Sequence, residues 1–325
     1  MTTILLLSAL IIGFAFGSVS VKGQFCMNSG FSNVIRKNDF TKLKSFIAAI
    51  LIQMMVLPFL FTVLYTNETT YHLVSNIGLP PLFLVASALG GFLFGIFMYF
   101  SGGCGAGIFF KLGEKKGDAL FAIIGFVIGV YITEKGVLSF IKSTAQSWLV
   151  YNQQPIWQYN SPIIAAIAVI ILSGGGLFLL FRSKDEVPGG AQWGWKKTGV
   201  AIGIIGIVGW VSALGAHMTY GLNIMAGAID MVDLNYTWPL MFVIGIPLGA
   251  FWVARNTDRK FTLPKGVVIS KRLAGGFGLG VSGSIAAGCT VGHGLTFTPL
   301  LAVGSFVAIL FIFIGSGLVG YLTRS

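Results

Sequence analysis

The sequence predicts an all-α integral membrane protein with about nine transmembrane helices, four re-entrant half-helix loops and an inverted internal repeat. Composition indicates the class, because 55% of the 325 residues are hydrophobic and only 10% are charged, against about 25% in soluble domains. The repeat rests on two stretches, 90–107 (GGFLFGIFMYFSGGCGAG) and 275–292 (GGFGLGVSGSIAAGCTVG). They align without a gap and share seven of eighteen positions, including a cysteine, which indicates two related halves.

Runs of about twenty apolar residues are typical of membrane-spanning helices. Such helices are predicted near residues 3–20, 44–65, 80–100, 119–133, 162–181, 198–214, 237–254, 272–288 and 298–322. Residues 1–20 are interpreted as the first span and not as a signal peptide, because no charged segment precedes Ile4. The last span would begin near Pro299, a residue suited to a first helical turn.

The domain prediction follows from the repeat. Residues 1–133 form the first half with spans one to four, 134–197 a linker region with span five, and 198–325 the second half with spans six to nine. Corresponding spans are five positions apart in the order of spans, because four spans and the linker helix make up the offset, and five is odd. The second half is therefore predicted to be inverted relative to the first.

The net charge of +11 is explained by membrane topology. Lys and Arg concentrate in segments that alternate along the nine spans, namely 36–44, 111–118, 182–197, 255–272 and the C-terminal tail. By the positive-inside rule these segments are cytoplasmic, which puts the N-terminus outside and the C-terminus inside. Membrane lipid is then the surrounding partner, and no nucleic-acid partner is predicted.

Four short motifs interrupt the helical pattern. GQFCMNSG at 23–30 and SGGCGAG at 101–107 are predicted to enter from the cytoplasm, and YGLNIMAG at 220–227 and GCTVGHG at 288–294 from outside. The third motif is a weak match that has Ile224 where the first has cysteine. Broken helices of inverted repeats that meet near the midplane are a transporter architecture, and lipid tolerates such backbone only where protein or water covers it.

All three cysteines of the chain, Cys26, Cys104 and Cys289, lie in these motifs. A single cysteine in a membrane helix is most often a small apolar residue, but three of three in repeated motifs favour contact with a substrate. A disulfide would leave the third cysteine unpaired and would link two motif segments that are expected to move. No metal site or other cofactor is predicted, since only His293 lies near a cysteine at all.

Further residues beside the cysteines are candidates for a substrate path. They are Gly103, Gly105, Gly288, Gln24, Asn28, Lys22 and His293. The glycines would let backbone N–H groups turn toward a substrate, and half-helix N-termini would favour an anion. The side chains of Gln24 and Asn28 either donate hydrogen bonds to the substrate or cap half-helices. Lys22 and His293 either contact the substrate or are polar groups at the rim or with partners inside the protein. No carboxylate proton relay is visible inside the predicted spans.

The three cysteine motifs, on a nine-span inverted repeat, resemble those of the YeeE/YedE family of bacterial membrane proteins, and the resemblance covers nearly the whole chain. It implies a transporter of the cytoplasmic (inner) membrane that takes up thiosulfate, without enzyme chemistry, with Cys26, Cys104 and Cys289 as the substrate-contacting residues. It also implies a cytoplasmic TusA-like sulfur carrier protein as a partner, although no such domain is fused to this chain.

Three alternatives stay open from the sequence. Family members associated with selenium metabolism keep selenium or other sulfur species as possible substrates. A membrane-embedded thiol or persulfide-transfer enzyme would need a resolving cysteine, and the chain has no CxxC pair. A purely structural membrane protein would tolerate cysteine replacement. The coupling ion, the oligomeric state, the order of cysteine contacts and the choice between channel and alternating access are not determined by the sequence.

Overall fold

The computed structural model describes residues 3–159, 161–256 and 261–323, which are helical almost throughout. Nine helices in these residues have 17 to 26 residues and overlap with the nine predicted apolar stretches. They are α1 (Thr3–Gly23), α3 (Thr41–Thr66), α5 (Leu84–Ser101), α7 (Asp118–Glu134), α9 (Pro162–Phe181), α10 (Trp195–Gly215), α12 (Trp238–Ala254), α13 (Gly266–Ile285) and α14 (Val303–Leu322).

Shorter elements lie between the long helices. They are α2 (Met27–Lys37), α4 (Tyr71–Val74), α6 (Gly105–Gly113), α8 (Ser139–Ser147), α11 (Ile224–Asp233), a 3₁₀ turn (Ile156–Gln158) and the antiparallel strands β1 (Leu82–Phe83) and β2 (Val150–Tyr151). A further helical segment covers residues 290–300, with π-helical turns at Gly292–Phe297 and a 3₁₀ turn at Thr298–Leu300. We refer to it as the 290–300 segment.

Length and composition make six stretches of the described chain able to cross a membrane. They are Thr3–Lys37, Thr41–Thr66, Leu84–Gly113, Pro162–Phe181, Trp195–Gly215 and Val303–Leu322. The number rises to eight if two bent pairs, α7 with α8 and α11 with α12, each count as one span. The fold is therefore that of an all-helical, multi-pass membrane protein, whereas the count of nine spans and the re-entrant placing of the motifs stay predictions.

The start of the last long helix differs from the prediction. Pro299 lies in the 3₁₀ turn of the 290–300 segment, and α14 begins only at Val303. Leu301 separates the two with a left-handed backbone conformation, φ 64°, which an α-helix cannot accommodate. Pro299 therefore belongs to the 290–300 segment and not to the first turn of the ninth span.

Helix packing pairs elements of the two chain halves in a reciprocal way. Helix α1 packs on α12, and its counterpart α10 packs on α3. Likewise α5 packs on α14 and α13 on α7, while α2 packs on α14 and α11 on α7. In each of these three cases, replacing both helices of the first contact by their counterparts in the other half gives the second contact. The motif segments consequently lie inside a shell built from both halves.

Charged side chains concentrate at one end of this bundle, which we call the basic face. Here α2 and α6 end and α3, α10 and α13 begin, held together by contacts such as the Lys116–Thr262 backbone bridge and the Gln24–Glu114 hydrogen bond. Backbone amides of Gln192 and Trp193 in the linker donate to the Lys22 carbonyl at this end. The other end, the opposite face, carries the last residues of α7 and α11.

Candidate functional site

The same backbone break precedes all three cysteines. Gln24, Gly102 and Ala287, each two positions before a cysteine, have φ values of 49°, 82° and 62°, in the left-handed region that ends helices. After Gln24 and Ala287, the next amide bonds back five residues into the helix, from Phe25 to the Ser20 carbonyl and from Gly288 to the Gly283 carbonyl, both at 2.9 Å. Helices α1, α5 and α13 are thereby stopped just before a cysteine.

A new helical segment starts directly after each break. Cys26 and Cys104 have extended backbone conformations and occupy the N-cap positions of α2 and α6, while Cys289 precedes the 290–300 segment. Ile224 is the first residue of α11. Four short helical segments therefore present their N-termini at the motif residues, and a helix N-terminus carries a partial positive charge from unpaired N–H groups.

The first turn of α6 brings the three cysteines together. A Cβ atom placed on Gly107 would lie 3.3 Å from the sulfur of Cys104 and 3.6 Å from that of Cys26. A Cβ atom on Gly105 would lie 3.6 Å from the sulfur of Cys289 and 3.7 Å from Cγ2 of Ile224. These distances correspond to contact or slightly less, and the four motifs consequently meet around one turn of helix.

The three thiols are free and buried, with 4%, 3% and 1% of Cys26, Cys104 and Cys289 exposed. Backbone amides of the adjoining segments lie near each sulfur. They belong to Asn28 and Ser29 for Cys26, to Gly107 for Cys104, and to Ile224, Val291 and Gly292 for Cys289. Thiols and backbone N–H groups therefore lie side by side in a buried region, a combination that suits an anion with both sulfur and oxygen atoms.

Thr290 adds a hydroxyl group that the sequence did not single out. Its Oγ1 is fully buried and makes no hydrogen bond of normal geometry to the described residues, and the neighbouring polar group is the Cys104 thiol. A buried hydroxyl without a partner costs about 1–3 kcal/mol. Thr290 follows Cys289 directly in the chain, and that adjacency was the one available signal.

Gln24 takes part in a polar network on the basic side of the cysteines. Its Nε2 donates to the Val21 carbonyl at 3.2 Å and to Glu114 Oε1 at 2.9 Å, and Lys116 Nζ lies 2.6 Å from Glu114 Oε2. Glu114 is 5% exposed. It lies within the segment assigned to cytoplasmic charges, so composition alone did not distinguish this buried carboxylate from its exposed neighbours.

His293 connects the helix break at Ala287 to α14 through hydrogen bonds of both ring nitrogens. Its Nε2 lies 3.0 Å from the Ala286 carbonyl and its Nδ1 3.1 Å from Ser305 Oγ. Since a carbonyl can only accept, Nε2 carries the proton and Nδ1 accepts from the serine in the neutral ring. A Cβ on Gly288 would stand 2.8 Å from Nε2, which explains a glycine at that position.

The remaining candidates lie at the edges of the site. The Lys22 ammonium lies 5.1 Å from the centre of the Trp193 ring, against the linker. The Gly103 carbonyl accepts a 2.8 Å hydrogen bond from Ser101, and the Asn28 carbonyl one of 2.7 Å from Ser32. Asn223 is a helix cap, because its Oδ1 accepts from the amides of residues 225 and 226, each at 3.0 Å.

Comparison with known proteins agrees with this architecture. The profile of a family described as sulphur transport matches residues 22–318. The chain is 27% identical over 342 residues to the thiosulfate transporter TsuA of Spirochaeta thermophila, covering 95% of this chain and 96% of that protein. It is 23% identical over 341 residues to the thiosulfate transporter TsuA of Escherichia coli K12, covering 96% and 92%.

Both relatives are named as transporters and neither as an enzyme. The match extends over nearly the full length of all three chains, and six to eight stretches within the described residues are able to span a membrane. These observations agree with the broken helices and the buried cysteines between them. The chain is a membrane transporter and belongs to the sulphur transport family, which includes the YeeE/YedE proteins.

Proposed function

We propose that this protein takes up thiosulfate, or a closely similar sulfur-containing anion, into the bacterial cytoplasm through its central site. The observation that carries the proposal is the meeting of three thiols and four helix N-termini around the first turn of α6. The names of the two relatives, both thiosulfate transporters, support the choice of substrate.

The chemistry of the site matches such an anion in two ways. Partial positive charge at helix N-termini attracts a dianion without a lysine at the centre. Thiols are weak, polarisable donors, so they contact a terminal sulfur atom without trapping it. Weak contacts at successive sites are what conduction requires, and we propose S–H···S contacts without covalent chemistry.

The position of each cysteine along α6 supports an order of contacts. Cys289 lies beside Gly105 at the start of α6, whereas Cys26 and Cys104 lie beside Gly107, about 3 Å further along a helix that runs to the basic face. An anion that comes from the opposite face would therefore meet Cys289 first. It would then pass between Cys26 and Cys104.

We propose that the basic face is cytoplasmic and that the protein lies in the inner membrane, with the N-terminus outside and the C-terminus inside. The concentration of Lys and Arg at that face supports this orientation. Moving a dianion inward against an inside-negative potential costs about 4.6 kcal/mol per 100 mV, twice the single-charge value. Consumption of thiosulfate in the cytoplasm or a coupled cation must supply that energy.

A soluble sulfur carrier of the TusA type is the partner we propose at the basic face. A thiolate of the carrier would take the outer sulfur atom of thiosulfate as a persulfide and release sulfite, and so keep the cytoplasmic thiosulfate concentration low. Such removal would supply the driving force for import. Surrounding lipid is the other partner, contacted by the exposed apolar side chains of the long helices, such as Ile171 and Leu172 of α9.

The direct test is growth of a bacterial strain that lacks its own sulfate and thiosulfate importers, with thiosulfate as the sole sulfur source. Growth with the wild type and none with a well-expressed triple Cys→Ala variant is expected. Membrane quantities of both proteins are the control. Absence of growth with a correctly inserted wild type would contradict thiosulfate uptake and favour another sulfur or selenium species.

A further inference from the structure

Lys42 connects the basic face to the first cysteine motif. It lies in the first turn of α3, and its Nζ donates a 2.8 Å hydrogen bond to Ser29 Oγ. Ser29 Oγ in turn donates to the Cys26 carbonyl at 3.2 Å. A half-buried ammonium group is thus held one hydroxyl away from the backbone of Cys26.

Lys111 connects the same face to the second cysteine motif. It lies in the last turn of α6, and its Nζ donates to the Gly102 carbonyl. Gly102 is the left-handed residue two positions before Cys104. Lys42 and Lys111 therefore hold equivalent places beside two of the three cysteine motifs.

The hydrogen bonds to Ser29 and to the Gly102 carbonyl place both ammonium groups beside the motifs of Cys26 and Cys104, whose sulfur atoms share the space at Gly107. Lys42 is repelled by Lys111 more strongly than it is attracted by the Asp39 carboxylate. Neither forms an ion pair with a carboxylate in the part of the chain that the structure describes. The buried carboxylate nearby, Glu114, is already paired with Lys116. Like charges held together away from bulk water repel, and a bound anion would relieve that repulsion.

We propose that Lys42 and Lys111 form a second anion site, between the cysteines and the basic face, which binds small dianions by charge. The inference extends the proposed function, in that it supplies the step by which an anion leaves the thiols. The thiols select for sulfur, whereas the lysines have no means of distinguishing thiosulfate from sulfate. An anion can move from the cysteines to the two lysines because it is bound only weakly at each of the two sites.

The test measures binding of sulfate, which has no terminal sulfur for the thiols. Thermal unfolding of the purified protein is followed at rising sulfate concentration, with ionic strength held constant by chloride. For Lys42→Gln/Lys111→Gln, we expect the sulfate concentration that gives half of the stabilisation to rise about tenfold. The amides keep a donor for Ser29 and for the Gly102 carbonyl, so the fold is maintained.

The matched control is Arg36→Gln/Lys37→Gln, which removes two charges from exposed side chains at the end of α2 on the same face. This variant should respond to sulfate as the wild type does, and Lys42→Arg/Lys111→Arg should restore binding. If the two glutamine variants respond alike, the lysine site is wrong. If the Lys42/Lys111 double variant does not fold, the single variants are compared, each with an expected shift of about threefold.

This outcome is separate from that of the proposed function. A protein that binds sulfate through the lysines but does not support growth on thiosulfate would leave the lysine site valid and contradict thiosulfate uptake. A protein that supports growth while both glutamine variants bind sulfate normally would leave uptake valid and overturn the lysine site.

Discussion

The sulfur atoms of Cys26 and Cys104 lie 3.6 and 3.3 Å from the point where a Cβ atom on Gly107 would stand. Two motifs that are far apart in the chain thus share the space that one glycine leaves open. The room around the two thiols therefore depends on the size of a single side chain in α6. A substitution at Gly107 therefore tests directly whether the substrate passes beside Cys26 and Cys104.

Gly107→Ala should lower thiosulfate uptake at least about tenfold while leaving the protein as stable as the wild type or more so. The methyl group would fill the space beside both thiols, and alanine is favoured over glycine within a helix by about 1 kcal/mol. Uptake of labelled thiosulfate by proteoliposomes, with thermal unfolding of the same samples, measures both effects.

The control for this variant is Gly175→Ala in α9, where a Cβ atom would meet nothing within 4 Å. It makes the same change in a helix and should leave uptake unchanged. Normal uptake by Gly107→Ala at wild-type expression would show that the substrate does not pass beside Cys26 and Cys104.

Thr290→Val should separate stability from transport. Valine has nearly the shape of threonine, and removal of a buried hydroxyl without a partner should leave the melting temperature unchanged or raise it. Uptake should fall several-fold, because we expect the hydroxyl beside Cys104 to bind the anion. A change in KM for thiosulfate without a loss of folded protein is the expected signature.

Thr298→Val is the matched control for that experiment. The Thr298 hydroxyl is also buried without a partner among the described residues, but it lies in the 3₁₀ turn before α14, away from the start of the 290–300 segment. The variant should show the same change in stability with normal uptake. Equal losses of uptake in both variants would refute a specific role of Thr290.

His293→Ala should destabilise the protein by about 1–3 kcal/mol, because it leaves the Ala286 carbonyl and Ser305 Oγ buried without partners. Uptake per folded molecule should stay close to that of the wild type. Thermal unfolding and uptake normalised to folded protein check the two parts. A stable variant with no uptake would instead make His293 a residue of the substrate path.

Glu114→Ala should cost about 1–3 kcal/mol, since it removes a buried carboxylate that accepts from Gln24 and pairs with Lys116. Glu114→Gln should cost less, because the new amide oxygen still accepts from Gln24. Glu134→Ala, which breaks the partly exposed pair with Lys142, should change stability by less than about 1 kcal/mol. Thermal unfolding of the three variants checks this ranking, and equal losses for all three would contradict it.

Much of the architecture was predictable because it depends on neighbouring residues. Apolar runs of span length predicted the nine long helices, and glycine beside cysteine predicted the breaks at Cys26, Cys104 and Cys289. Both patterns are properties of one short stretch of chain. The start of α14 was missed, because nothing in the residues around Leu301 predicts a left-handed conformation at a leucine.

The class of protein, the family and the three cysteines could all be identified from the residues alone. Which polar residues surround the cysteines depends on the folded chain. Lys42, Lys111 and Glu114 lie in segments whose charges were explained by topology, and Thr290 was one hydroxyl among many. Their distinction from similar residues comes from contacts between separate elements, such as those of α2 with α3 and of α1 with α6. Contacts between segments so distant in the chain leave no periodicity or spacing in the sequence.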